Sequence, residues 1–205
     1  MEKLLKTVAA AGIMTAAFMQ PAYAAIIGFK GTLTSAAEHN PADTSTATGQ
    51  AFITLDTIAN TMEVNITYSG LTSGATGAHI HCCLASPFAS GNVGVATTTP
   101  AFPGFALGNT SGSYDQIIDM TLPTSYNMGV NQFLALNGNN PLTAEATLFA
   151  AIENDETYLN IHSSQFPGGE IRTFLVFVPE PVTLSVFGVG LAGAVIHRKR
   201  RRAKA

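Results

Sequence analysis

The sequence predicts an all-β domain, an antiparallel sandwich or barrel that carries one short helix. Segments rich in Val, Ile, Thr, Phe and Tyr recur through the middle of the chain, most with apolar residues at every second position. Gly, Asn, Asp and Thr separate them, as turn chemistry requires. Only one stretch spaces its apolar residues for a helix. A chain of 205 residues with 46% hydrophobic content suits a single core with appendages.

In chain order, residues 1–24 read as a secretory signal peptide. Lys3 and Lys6 form a basic start, Val8 to Met19 an apolar run, and Ala22-Tyr23-Ala24 a small–x–small cleavage site. Signal peptidase would then leave a mature chain beginning at Ala25. Strands are predicted over 26–33, 49–57, 61–68, 75–82, 114–122, 157–162 and 170–177. Met62, Val64, Ile66 and Tyr68 show the alternation most clearly, and so do Ile171, Thr173 and Leu175. Asp56-Thr57-Ile58-Ala59-Asn60 reads as a hairpin connection. The segment from Leu84 to Gly112, with Pro87, Pro100 and Pro103, is long for a compact domain; it would cover a face or serve as a binding loop. Residues 142–152 carry the helical spacing, with Thr143 as the expected cap and Glu145 in the expected first turn. The short helix is thus predicted near 142–153. Phe166-Pro167-Gly168-Gly169 is a turn whose glycines permit positive φ.

The formal charge of −3 is an average over unlike regions. Residues 25–177 hold two basic side chains, Lys30 and Arg172, against 11 acidic ones, a net of −9. Such a region cannot neutralise phosphates, which excludes nucleic-acid binding. Six basic residues crowd the end of the chain, from Arg198 to Lys204. Before them Pro179-Glu180-Pro181 leads into an uncharged apolar stretch, Val182 to Ile196, worth about 22 Å of helix against a hydrocarbon core of about 30 Å. The basic end would stay in the cytoplasm and the acidic domain would face outward.

This Pro-Glu-Pro, apolar, Arg-rich order over 178–205 resembles the PEP-CTERM sorting signal of Gram-negative bacteria. The resemblance implies an exosortase as processing partner and transient inner-membrane anchoring. Removal of the tail and display at the cell surface or in an extracellular matrix would follow. The region 25–177 carries a second resemblance. Tyr68-Ser69-Gly70-Leu71 with Ala78-His79-Ile80-His81, then Tyr158-Leu159-Asn160-Ile161-His162-Ser163 with Gly168-Gly169-Glu170-Ile171-Arg172, resemble the CHRD domain. That family implies an extracellular β-sandwich module with no settled biochemical activity; the fold expected here is an immunoglobulin-like or superoxide-dismutase-like Greek key.

The histidines carry the chemistry most worth weighing. Strand alternation puts His79, His81 and Cys83 on one face of their strand, with Ile80 and Cys82 on the other. On the later strand Tyr158, Asn160 and His162 share a face opposite Leu159 and Ile161. With the aliphatic side chains turned to the core, all three histidines lie on the outer face of the sheet, spaced to converge on one copper or zinc ion. At the level of motif this is similar to copper–zinc superoxide dismutase, where a His-x-His strand and a later strand-borne His ligate copper. No histidine lies between Cys82 and Ile161, so the bridging His and the zinc ligands of that family have no counterpart.

The adjacent Cys82 and Cys83 leave three readings open: a vicinal disulfide with a redox or rigidity role, a soft ligand in Cys83, or intermolecular bridges. Gly168, Gly169, Glu170 and Arg172 read as structural, Arg172 pairing with a carboxylate or with backbone carbonyls. Glu153-Asn154-Asp155-Glu156 reads as a solvated acidic face. No nucleophile elbow, phosphate loop or His-Glu-x-x-His helix is present, so no catalytic residue is predicted. The leading expectation is therefore a displayed binding or adhesion module whose partner is envelope polysaccharide or another matrix component. The alternative is a metal-handling domain built on the three histidines.

Overall fold

A computed structural model describes residues 26–39 and 45–179. The signal peptide with its Ala24–Ala25 cleavage site, and the tail from Glu180 onward including Pro181, lie outside the described residues. Pro179 is described and exposed.

The domain is one antiparallel sheet of eight strands that curls into a half-barrel, with few helices. The strands are β1 (Ile26–Thr34), β2 (Thr48–Asp56), β3 (Thr61–Ser69), β4 (Ala75–Cys82), β5 (Gly112–Asp119), β6 (Thr157–Ser163), β7 (Ile171–Phe174) and β8 (Val176–Val178). Their order across the sheet is β4-β6-β7-β1-β2-β3-β5, with β8 pairing to β1 beside β7. The helices are α1 (Phe133–Leu136) and α2 (Pro141–Glu153), with 3-10 turns at Ser35–Ala37 and Pro123–Ser125. Among the described residues no helix is long and apolar enough to cross a membrane.

The period of two explains most of the core. In β3 Met62, Val64, Ile66 and Tyr68 are buried, while Glu63, Thr67 and Ser69 are exposed. Ala51, Ile53 and Leu55 of β2 and Leu159 and Ile161 of β6 join them, with Leu148, Phe149 and Ile152 of α2. The hairpin between β2 and β3 closes as expected: the Asp56 carboxylate accepts from the Ile58 and Ala59 amides at 2.9 and 2.8 Å, and Asn60 takes φ +53°.

Several strand ends differ from expectation by one residue, and three differences go further. Helix α2 is capped by Asn140, whose side chain accepts from the Leu142 amide at 3.0 Å, with Pro141 at the first helical position. Thr143 therefore lies inside the helix, and Glu145 falls past its first turn. Strand β5 starts two residues early and stops at Asp119, because the Asp119 carboxylate turns back to accept from the amide and hydroxyl of Thr121. The predicted last strand is split at Leu175, which is fully buried; β7 meets β1 at Thr34 and β8 meets it at Gly28–Lys30.

Candidate metal centre

Strand β4 is the end of the sheet, so one of its edges needs another partner. The long segment after Cys83 supplies it. The Ala96 amide donates to the Ile80 carbonyl at 2.9 Å, the Phe102 amide to Ala78 at 2.9 Å, and the Cys82 amide to Gly94 at 3.0 Å. The segment thus caps an edge that would otherwise template pairing with another chain. Its length suggested either a cover or a binding loop; the structure uses it as a cover.

Antiparallel register then assembles the site. Gly77 faces His162, His79 faces Asn160, and His81 faces Tyr158. These six residues share the face of the sheet opposite Ile80 and Ile161, as strand alternation predicts. His162 stands diagonally from His79, and Gly77 leaves room there. A methyl at Gly77 would meet both rings at 3.5 Å and the Pro100 carbonyl at 2.8 Å. Ring centroids lie 4.7 Å apart for His79–His81, 4.6 Å for His79–His162 and 5.9 Å for His81–His162. The expected outer face is not open to solvent, however. His79 and His81 are buried under the loop, and His162, half-buried, lies against the Pro167 turn.

Each ring is held by its Nδ1. His79 Nδ1 lies 2.9 Å from the Pro100 carbonyl, His81 Nδ1 2.7 Å from Val93, and His162 Nδ1 2.9 Å from Pro167. A carbonyl only accepts, so each Nδ1 carries the hydrogen and each Nε2 keeps its lone pair. All three Nε2 atoms are buried and have no hydrogen-bond partner. The potential ligand atoms of the three residues lie within 4.8 Å of one another. Three nitrogens on one ion at about 2.0–2.1 Å would stand about 3.5 Å apart, so small ring movements suffice.

Electrostatics keeps the rings neutral. Burial, reinforced by His162 and His81, pushes the His79 pKa down to about 3. Burial pushes His81 down to about 4, with His162 and Arg172 acting in the same direction against the bond to Val93. Burial also lowers His162. Neutral imidazole is the ligating form.

The Gly-Gly-Glu-Ile-Arg block builds the wall behind the site. Pro167, which holds His162, begins the turn that ends at Gly169 with φ +127°. Gly168 has open space around it. Glu170 is fully buried and accepts from the Ser45 hydroxyl at 2.7 Å and from the Thr72 amide and hydroxyl at 2.7 and 2.8 Å. Burial pushes its carboxyl up, but hydrogen bonds from Ser163, Ser45 and Thr72 outweigh that and hold it below the usual value. Arg172, 2% exposed, donates from Nε to the Ala37 carbonyl and from NH1 to Gly91 at 3.0 Å. Its Nε lies 4.0 Å from Glu38, and its guanidinium sits 4.5 Å from the Tyr158 ring centre. Tyr158 in turn stacks on His81, with ring centres 4.6 Å apart and planes 11° apart.

Cys82 and Cys83 form a vicinal disulfide, and no described cysteine is free. Cys82 is buried, Cys83 is exposed, and neither belongs to the histidine cluster. Sequence reasoning missed Val93, Pro100 and Pro167, because they act through carbonyls that every residue type carries. It also missed Glu38, whose burial depends on the fold.

A family model described as the CHRD domain matches residues 29–175. No curated protein and no solved structure matches the chain.

Proposed function

The chain belongs to the CHRD domain family, and from that premise we propose that it holds one transition-metal ion outside the cytoplasm, on His79, His81 and His162. One observation carries the reading: three Nδ1 atoms are each spent on a carbonyl, while the Nε2 atoms of three clustered rings are left buried and unpaired. An unpaired buried acceptor costs about 1–3 kcal/mol, and three together need a ligand to offset them. Carbonyls on the far ring nitrogen are the usual outer partners of metal-bound histidine, fixing tautomer and ring orientation. Imidazole donors suit copper and zinc. The role is to bind and retain the ion; no catalytic step is assigned.

Export fits this reading. Signal peptidase would cut at Ala24–Ala25, and an exosortase would act at Pro179-Glu180-Pro181 after transient inner-membrane anchoring. The domain would then stand at the cell surface or in its matrix, beside polysaccharide. Strand β1 opens at Ile26 and β8 closes at Val178, so all eight strands fit between the two processing points.

Calorimetric titration of the chelator-stripped protein with copper and with zinc tests the site. One equivalent should bind more tightly than about 10 μM, and the His79→Ala, His162→Ala double variant should lose it with its circular dichroism retained. Binding unchanged in that variant would refute the assignment.

A further inference from the structure

The three-nitrogen centre is closed, and its closure says which ion it suits. All three Nε2 atoms are out of contact with solvent, and among the described residues no other His, Cys, Asp or Glu joins the cluster. The sulfurs nearest in sequence are tied to each other. The loop and the Pro167 turn occupy the far side of each ring through Nδ1. A zinc ion completes a tetrahedron with a fourth donor, from protein or from water. None is arranged here, and water has no surface of the three nitrogens to reach.

Charge points the same way. Imidazoles are neutral ligands, so an ion's whole charge stays in a buried place, where each uncompensated charge is costly. The fixed charge stacked behind the site is positive: Arg172 rests on Tyr158, and Tyr158 rests on His81. The carboxyl facing Arg172, that of Glu38, accepts from the Asn160 amide at 3.3 Å and does not reach the cluster. A second positive charge on the ion would thus meet no compensating anion.

We propose that the His79–His81–His162 centre is a site for monovalent copper, a singly charged ion that three nitrogens satisfy, and that it discriminates against divalent zinc and divalent copper. The inference rests on the metal-site reading above and adds to it the charge and coordination number of the ion.

The test uses the full chain, purified in detergent without oxygen and stripped of metal. Cu(I) is titrated against a chromophoric Cu(I) chelator and Zn(II) against a zinc indicator. The copper form is then examined by potentiometry and X-ray absorption. One Cu(I) should bind at least about 100-fold more tightly than Zn(II). The absorption spectrum should show three nitrogen neighbours. The bound couple should lie above that of aqueous copper, because the site favours the reduced ion. Zinc bound as tightly as Cu(I), a fourth oxygen neighbour, or a potential below the aqueous couple would overturn the inference while leaving a three-histidine metal site. Failure of every ion to bind, or Cu(I) binding that survives in the His79→Ala, His162→Ala variant, would overturn both.

Discussion

A buried imidazole resists protonation, and the metal-free protein should show this in acid. His79 and His81 have folded pKa values near 3 and 4, against an ordinary 6.5. Between those limits the unfolded chain binds more protons, so stability is complete above pH 6.5 and falls as pH drops toward 4. Glu38 acts in the opposite sense. Burial raises its carboxyl to about 7, against weaker lowering by Arg172 and Asn160, so its contribution is complete below 4.5 and is lost as pH rises through 7. Two strongly shifted histidines, with His162 shifted the same way, outweigh one carboxyl. The denaturant midpoint of the metal-free protein should therefore fall between pH 6.5 and 4, and His79→Gln should flatten that slope. A midpoint that rises on acidification would show Glu38 in control. Gly169 is a separate point of sensitivity. With φ +127°, and with Asn160 and Glu38 within 2.6 and 2.7 Å of where a Cβ would sit, Gly169→Ala should cost about 3 kcal/mol in an equilibrium unfolding experiment.

At the scale of elements, α2 offers the cleanest check on local physics. Asn140→Ala removes the acceptor for the Leu142 amide and should lower stability by about 1 kcal/mol, while Thr143→Ala should do little at the cap. The contrast also shows why sequence reading named the wrong residue. Periodicity dates the helix from its first apolar position, Leu142, whereas the chain enters it through the Asn-Pro pair just before. Where one face is buried and the other wet, as in β3, alternation is visible and the strand is legible to within one residue. In β6 both faces are covered: Leu159 and Ile161 pack into the core, while on the other face the loop meets Tyr158 and Glu38 meets Asn160. Alternation still sorted those residues correctly into two faces, and so brought the three histidines together. It could not show that the second face is roofed, because a loop's path over a sheet depends on hydrogen bonds such as that from the Cys82 amide to Gly94. That roof turns an exposed histidine patch into an enclosed centre.

For the whole molecule, the proposed processing points fall on either side of the described fold, and mass spectrometry of protein from the native host tests both. The expected species begins at Ala25 and lacks the segment from about Val182 onward; an intact tail in mature material would refute tail removal. The last strand has another consequence. Gly28 and Val178 are paired partners, so the first and last strands lie side by side at one rim. A short glycine linker could join them, and new ends could be opened in the exposed turn between β2 and β3 without breaking any ladder. Such a circularly permuted chain would keep the histidine wall intact. Its ends would leave a different corner of the domain, so under the proposed anchoring the orientation of the wall toward the membrane would be set by the attachment point and not by the fold.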